Sequence, residues 1–79
     1  MTIYSEILVY PDGDTQEAAH ELQINQVVDL NGVPLRLPIP TVKMIVYRVF
    51  KITIQEIRGE HTKRYHLELV KRGEMLEYV

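Results

Sequence analysis

The stretch VKMIVYRVFKITIQEI, Val42 to Ile57, is an uninterrupted β-like run in a chain of 79 residues. At about 3.3 Å per residue, a straight ribbon of this length would reach roughly 53 Å. A compact chain of this size has a diameter of only roughly 30 Å. The ribbon must therefore bend and change partners, as strands do in small barrels, or project and pair with another chain.

Its side-chain phase fits both outcomes. Val42, Met44, Val46, Phe50, Ile52 and Ile54 fall on one face, with Arg48 among them. Lys43, Lys51, Thr53 and Gln55 fall on the other, together with Ile45, Tyr47, Val49 and Ile57. A β-bulge beside Arg48 is expected to turn it outward and bend the ribbon. The alternative is a buried Arg48 paired with a carboxylate such as Asp29 or Glu68, because an unpaired buried charge is costly. Ile45, Tyr47 and Val49 make the first half apolar on both sides, so it is expected to be covered twice, by the domain itself or by a second subunit. These three are the candidate interface residues.

Working outward, Thr2 to Tyr10 alternates as a strand, and PDGD then supplies a turn. Asp14 and Glu17 have the spacing of a helix-start signal ahead of Ala18, Ala19 and Leu22, giving an expected short helix near 15–21. A strand near 23–30 follows. Asn31-Gly32 reads as a two-residue hairpin turn in which Leu30 faces Val33 and Pro34 faces Asp29 in a non-hydrogen-bonded pair, where a missing N–H removes nothing. LPIPT, with Pro38 and Pro40, is an extended linker into the long ribbon. Beyond Ile57, RGEHTK reads as a polar loop, Arg64 to Val70 as a strand, and Met75 to Val79 as an edge strand after a turn at Gly73. The expected fold is all-β, or β-rich α+β: one small antiparallel barrel or roll of about five or six strands over residues 1–79, with one short helix.

Composition agrees with one soluble ordered domain, since 46% of residues are hydrophobic and 25% charged. No segment is apolar enough to span a bilayer, and the first ten residues have no basic region of the kind that opens a signal peptide. There is no cysteine. That excludes disulfides, thiolate metal sites and a cysteine nucleophile, and fits a reducing cytoplasm. So small a core without staples favours oligomerisation, here a homodimer.

Charge divides unevenly along the chain. Residues 1–40 carry one basic residue against six acidic ones, a balance of −5, and residues 41–79 carry eight against five, a balance of +3. Arg58, His61, Lys63 and Arg64 cluster near one expected loop, with Lys71 and Arg72 at the next turn. They are the candidate anion or nucleic-acid contacts, the charges meeting phosphates and tyrosines stacking on bases.

Catalytic signatures do not assemble. Ser5, the only serine, lies in a strand pattern without a nucleophile elbow. Asp12 and Asp14 suit a turn better than a carboxylate pair, and a calcium loop fails because Glu17 and Gln23 occupy its glycine and closing positions. The glycines sit one to a turn, so no phosphate loop forms. His20, His61 and His66 would need carboxylate help to hold zinc. The expectation is a nonenzymatic, self-associating protein-interaction or accessory domain without cofactor or metal. The alternative is a nucleic-acid-binding small barrel.

Overall fold

The computed structural model describes residues 3–41 and 43–78; the expected strand start at Thr2, the first ribbon residue Val42 and the terminal Val79 lie outside them. Five strands form one sheet: β1 (Ile3–Val9), β2 (Thr15–Glu17), β3 (Val27–Val28), β4 (Tyr47–Ile57) and β5 (Glu60–Leu69). Their spatial order is β2-β1-β5-β4-β3, curled into a half-barrel. The small all-β class is as expected. The sheet is mixed, however, because β1 runs parallel to β5, from Ile3 opposite Glu60 to Val9 opposite His66, while the other three pairings are antiparallel.

The long ribbon answers its own length by bending. Val49 faces Leu67 and Lys51 faces His66, which leaves Phe50 as an inserted residue, a β-bulge. The insertion reverses the phase of the strand. Before it, Tyr47 and Val49 point into the concave face with Leu67; beyond it, Ile52 and Ile54 do so with Tyr65 and Lys63. Two apolar phases that look like opposite faces in the sequence are thus one face on either side of a single extra residue.

Arg48 meets the paired alternative: the bulge bends the ribbon but does not turn Arg48 off the face it shares with Val46. The bulge lies two residues past it, and its side chain stands on the convex face against carboxylates. Its Nε donates to Glu68 Oε1 at 2.8 Å, Nη2 to Glu74 Oε2 at 3.0 Å, and Nη1 to the Tyr78 hydroxyl at 3.1 Å. Those bonds, led by the one to Tyr78, hold the guanidinium above its ordinary pKa.

Two apolar clusters cover the same end of the sheet. Leu8, Leu22, Val28, Val49, Tyr65 and Leu67 fill the concave side. Val27, Ile39, Val46, Val70 and Met75 fill the convex side, where the proline-rich segment and the C-terminal turn close over them. Double coverage of this end is therefore supplied by the chain itself.

Local expectations change where tertiary pairing outweighs propensity. Residues 15–17 are a strand, not a helix, because Tyr10 N–H donates to Asp14 C=O at 2.9 Å and Gly13 N–H to Tyr10 C=O at 2.9 Å. These bonds close a three-residue loop that sends the chain back along β1, and a two-turn helix has little stability to oppose them. Asn31-Gly32 likewise sits in a three-residue loop. Asp29 N–H donates to Val33 C=O, only Gly32 of the pair has positive φ (80°), and Asp29 Oδ1 accepts from the Asn31 and Val33 amides. Pro34 then faces Val28, one place from the expected partner, and the neighbouring bond runs from Leu35 N–H to Val27 C=O. The rule that excused Pro34 holds in the shifted register. The true two-residue turn is Arg58-Gly59, with φ of 48° and 82°, so Glu60 to Lys63 belong to β5 and not to a loop.

The C-terminal segment forms a helix, α1 (Arg72–Met75), at the expected turn, and residues 76–78 continue as a turn where the edge strand is expected. Met75 and Tyr78, three residues apart, both turn onto the convex cluster, a helical spacing. The molecule is elongated, 44 × 22 × 17 Å, because the hairpin of β4 and β5 runs beyond both clusters. Among the described residues, no helix is long and apolar enough to cross a membrane.

Candidate interaction surface

The end of the hairpin away from the two clusters, its distal end, carries the features left over by folding. On the concave face Tyr4 stacks on His61 with ring centroids 5.0 Å apart and planes 21° from parallel. His61 Nε2 lies 3.4 Å from Glu56 Oε1. Lys63 Nζ lies 3.8 Å from Glu21 and 5.2 Å from the centre of the Tyr65 ring. The phenol of Tyr65 donates to Glu6 Oε1 at 2.9 Å, which closes the apolar core with a polar layer. An open groove of about 790 Å³ lies beside this layer, with Tyr4, Glu6, Ala18, Ile54, His61 and Lys63 in its lining.

The electrostatics of the layer favour its paired state. Burial pushes the Tyr65 phenol above its ordinary pKa, and the Glu6 carboxylate pushes it further. The phenolic oxygen of Tyr65 and the carboxylates of Glu21 and Glu6 hold the Lys63 ammonium above its ordinary value. Lys63 to Glu21 is also the one ion pair, among the described residues, that joins the acidic first half of the chain to the basic second half.

The expected cationic surface is dispersed. Arg58 sits in the hairpin turn; His61 and Lys63 share the concave face; Arg64 is on the convex face, donating to Gln55 at 2.9 Å. Lys71 and Arg72 lie past the other end of β5, a strand that spans roughly 33 Å for its ten residues. His61 and His66 point to opposite faces, His66 lying 2.9 Å from the Thr53 hydroxyl. Among the described residues no group of three or more metal-ligating side chains converges. Ser5 lies opposite Thr62, across the sheet from His61.

The expected interface trio is also divided. Val49 is wholly buried in the concave cluster, and Tyr47 packs at its rim, edge-on to Tyr10 with centroids 5.2 Å apart. Only Ile45 of the three is exposed. The two most exposed large apolar side chains of the sheet are at the distal tip, Tyr4 at 76% and Ile54 at 70%, with Ile3 and Ile57 about half exposed; Leu30, Leu37, Leu69 and Leu76 are exposed elsewhere. Sequence reasoning misses this tip because RGEHTK reads as a loop. The signal available was the alternation of Ile52, Ile54 and Glu56 against a strand starting at Glu60 once Arg58-Gly59 is read as a turn.

Fold and surface together define a small β half-barrel, filled at one end and bare at the other. A family model described as an uncharacterised Treponema protein matches residues 2–78, and the chain belongs to that family. No curated protein and no solved structure matches it.

Proposed function

We propose that this chain is a nonenzymatic protein-interaction domain that self-associates through the distal half of its sheet. The observation that carries the reading is the exposure of apolar side chains on both faces of one tip, Tyr4 and Ile54 on the concave face and Ile3 and Ile57 on the convex face. Of the charged groups around them, Glu56 lies beside His61, Lys63 beside Glu21 and Arg64 on Gln55, while Arg58 and Glu60 at the turn make no ion pair among the described residues. That pattern supports a protein partner, for which an apolar patch with a polar rim is the usual contact. A polyanion would call for unpaired cations in one place, and here the basic side chains are spread over two faces and two ends.

The test is the double substitution Tyr4→Ser with Ile57→Ser, followed by sedimentation. Self-association of the native chain should weaken at least tenfold, with thermal unfolding little changed, because neither side chain belongs to a core cluster. A native chain that stays monomeric at every concentration, yet binds RNA or DNA with a steep salt dependence, would replace this reading with the nucleic-acid one.

A further inference from the structure

The edge of the sheet beside β4 is closed at one end and open at the other. β3 covers Tyr47 and Arg48, and the loop before it covers Val49, whose C=O accepts from Asn25 N–H at 2.8 Å and whose N–H donates to Gln26 C=O at 3.0 Å. There the cover stops. Among the described residues, no other segment bonds to the backbone of residues 50–57 on the side away from β5.

The pleat decides which groups are left over. A two-residue turn makes its flanking residues a hydrogen-bonded pair, so Ile57 bonds to Glu60, and by alternation Gln55, Thr53 and Lys51 also direct their N–H and C=O toward β5. Ile52, Ile54 and Glu56 direct theirs outward. Three residues thus present six unpaired main-chain groups in a row. Natural edges are blunted by proline, bulges or charge. From Lys51 to Ile57 this edge has no proline, and its charged residues are one lysine at the start and one glutamate near the end.

Resting on the self-association reading above, we infer that this edge pairs with the same edge of a second copy, antiparallel and centred on Ile54, making one ten-stranded sheet. In that register Ile54 faces its own counterpart, and Ile52 faces Glu56 twice. Each pair exchanges two bonds, so all six outward groups of both chains are satisfied. Centring two-fold pairing on Thr53 would instead bring Glu56 against the bulge at Phe50, and centring it on Gln55 would bring Ile52 against Arg58 in the turn. No like charges stand opposite, since Lys51 meets Ile57 and Glu56 meets Ile52. The same centre brings the exposed Ile54 side chains of the two copies together. The bulge at one end and the hairpin turn at the other limit the seam to seven residues. A two-fold seam of that kind closes on itself instead of growing into a fibre. Such a contact is at the small end of interfaces, which places its dissociation in roughly the micromolar to millimolar range.

The experiment is light scattering over a dilution series spanning that range for the native chain, Ile54→Pro and Ile54→Glu. Proline removes an N–H that faces away from β5, so the ladder between β4 and β5 keeps its bonds while the seam loses its centre. Glutamate faces Lys63 across its own hairpin but meets another glutamate across the seam. The native mass should rise toward twice that of the chain with concentration, and both variants should stay at the chain mass with an unchanged β circular-dichroism spectrum. If Ile54→Pro fails to fold, Ile54→Glu decides. A native dimer that Ile54→Glu leaves intact overturns the edge pairing and leaves self-association standing. A native chain that never exceeds the chain mass overturns both.

Discussion

One pair of strands has two quite different ends. At the proximal end of the hairpin, Val46, Val49, Leu67 and Val70 are buried on both faces of the sheet, and Arg48 is tied to Glu68, Glu74 and Tyr78. At the distal end, β4 and β5 continue in perfect register, yet Ile54 and Ile57 remain exposed. The strands account for part of the difference, because β4 stays apolar at Ile52, Ile54 and Ile57 while the distal half of β5, Glu60 to Arg64, carries no apolar side chain. Coverage is set by where the rest of the chain comes back: residues 22–39 and 70–78 return to the proximal end only. An apolar face in a strand is therefore a statement about what it can bury against, and the distal half has nothing of its own to bury against.

Substitutions can break this contrast, and the largest effect is expected at the proximal end. Gly32 has positive φ, and a Cβ there would run into Leu8 in the core. Gly32→Val should lose about 3–5 kcal/mol in denaturant titration, since strain at positive φ adds to overpacking. Gly13, at φ 92° in the matching loop, has open space around it, so Gly13→Val should cost only about 1–2 kcal/mol. Equal losses at the two glycines would mean that the second loop does not press on the core.

Arg48→Ala comes next. It strands Glu68 and Glu74 beside a partly buried position and should cost about 1–3 kcal/mol, less than a fully buried pair because both glutamates retain solvent contact. Chemical denaturation reads it directly. A neutral result would show that the convex side is held by its apolar cluster alone.

Tyr65 tests the boundary between the two ends. Its folded pKa is raised by burial, so its contribution is fully present below the unfolded value of about 10 and is lost as pH rises through the folded one. Stability should be flat from neutral pH to about pH 9 and decline above about pH 10, and Tyr65→Phe should lessen that decline while costing about 1 kcal/mol at neutral pH. An alkaline limb unaltered in Tyr65→Phe would remove the phenol from the account.

Much of the fold was legible from local chemistry. Turns at Gly13 and Gly32 and a bend in the ribbon near Arg48 follow from residue type and spacing, and a carboxylate partner for Arg48 follows from its apolar face, with Glu68 one of the two candidates, Asp29 the other, and Glu74 not among them. What escaped depended on pairing over distance. The Asp14 and Glu17 spacing is compatible with a helix start, and it is the pairing with β1, with Tyr10 N–H donating to Asp14 C=O at one end and Ala18 N–H to Glu6 C=O at the other, that makes the segment a strand. Arg58-Gly59 was hidden because arginine is an unusual residue at positive φ, and with it went the extent of β5 and the true position of His61, Lys63 and Arg64. The parallel pairing of β1 with β5 has no local signature, since the two strands are separated by most of the chain.

The most direct test of the contrast is amide hydrogen exchange along β4. In dilute solution the amides of Lys51, Thr53 and Gln55, bonded to β5, should exchange slowly, while those of Ile52, Ile54 and Glu56 exchange fast; Val49 and Val70 should be protected throughout. Raising the concentration should slow Ile52, Ile54 and Glu56 alone. Protection of those three in the dilute monomer, or its absence in solutions where the chain is dimeric, would contradict the account.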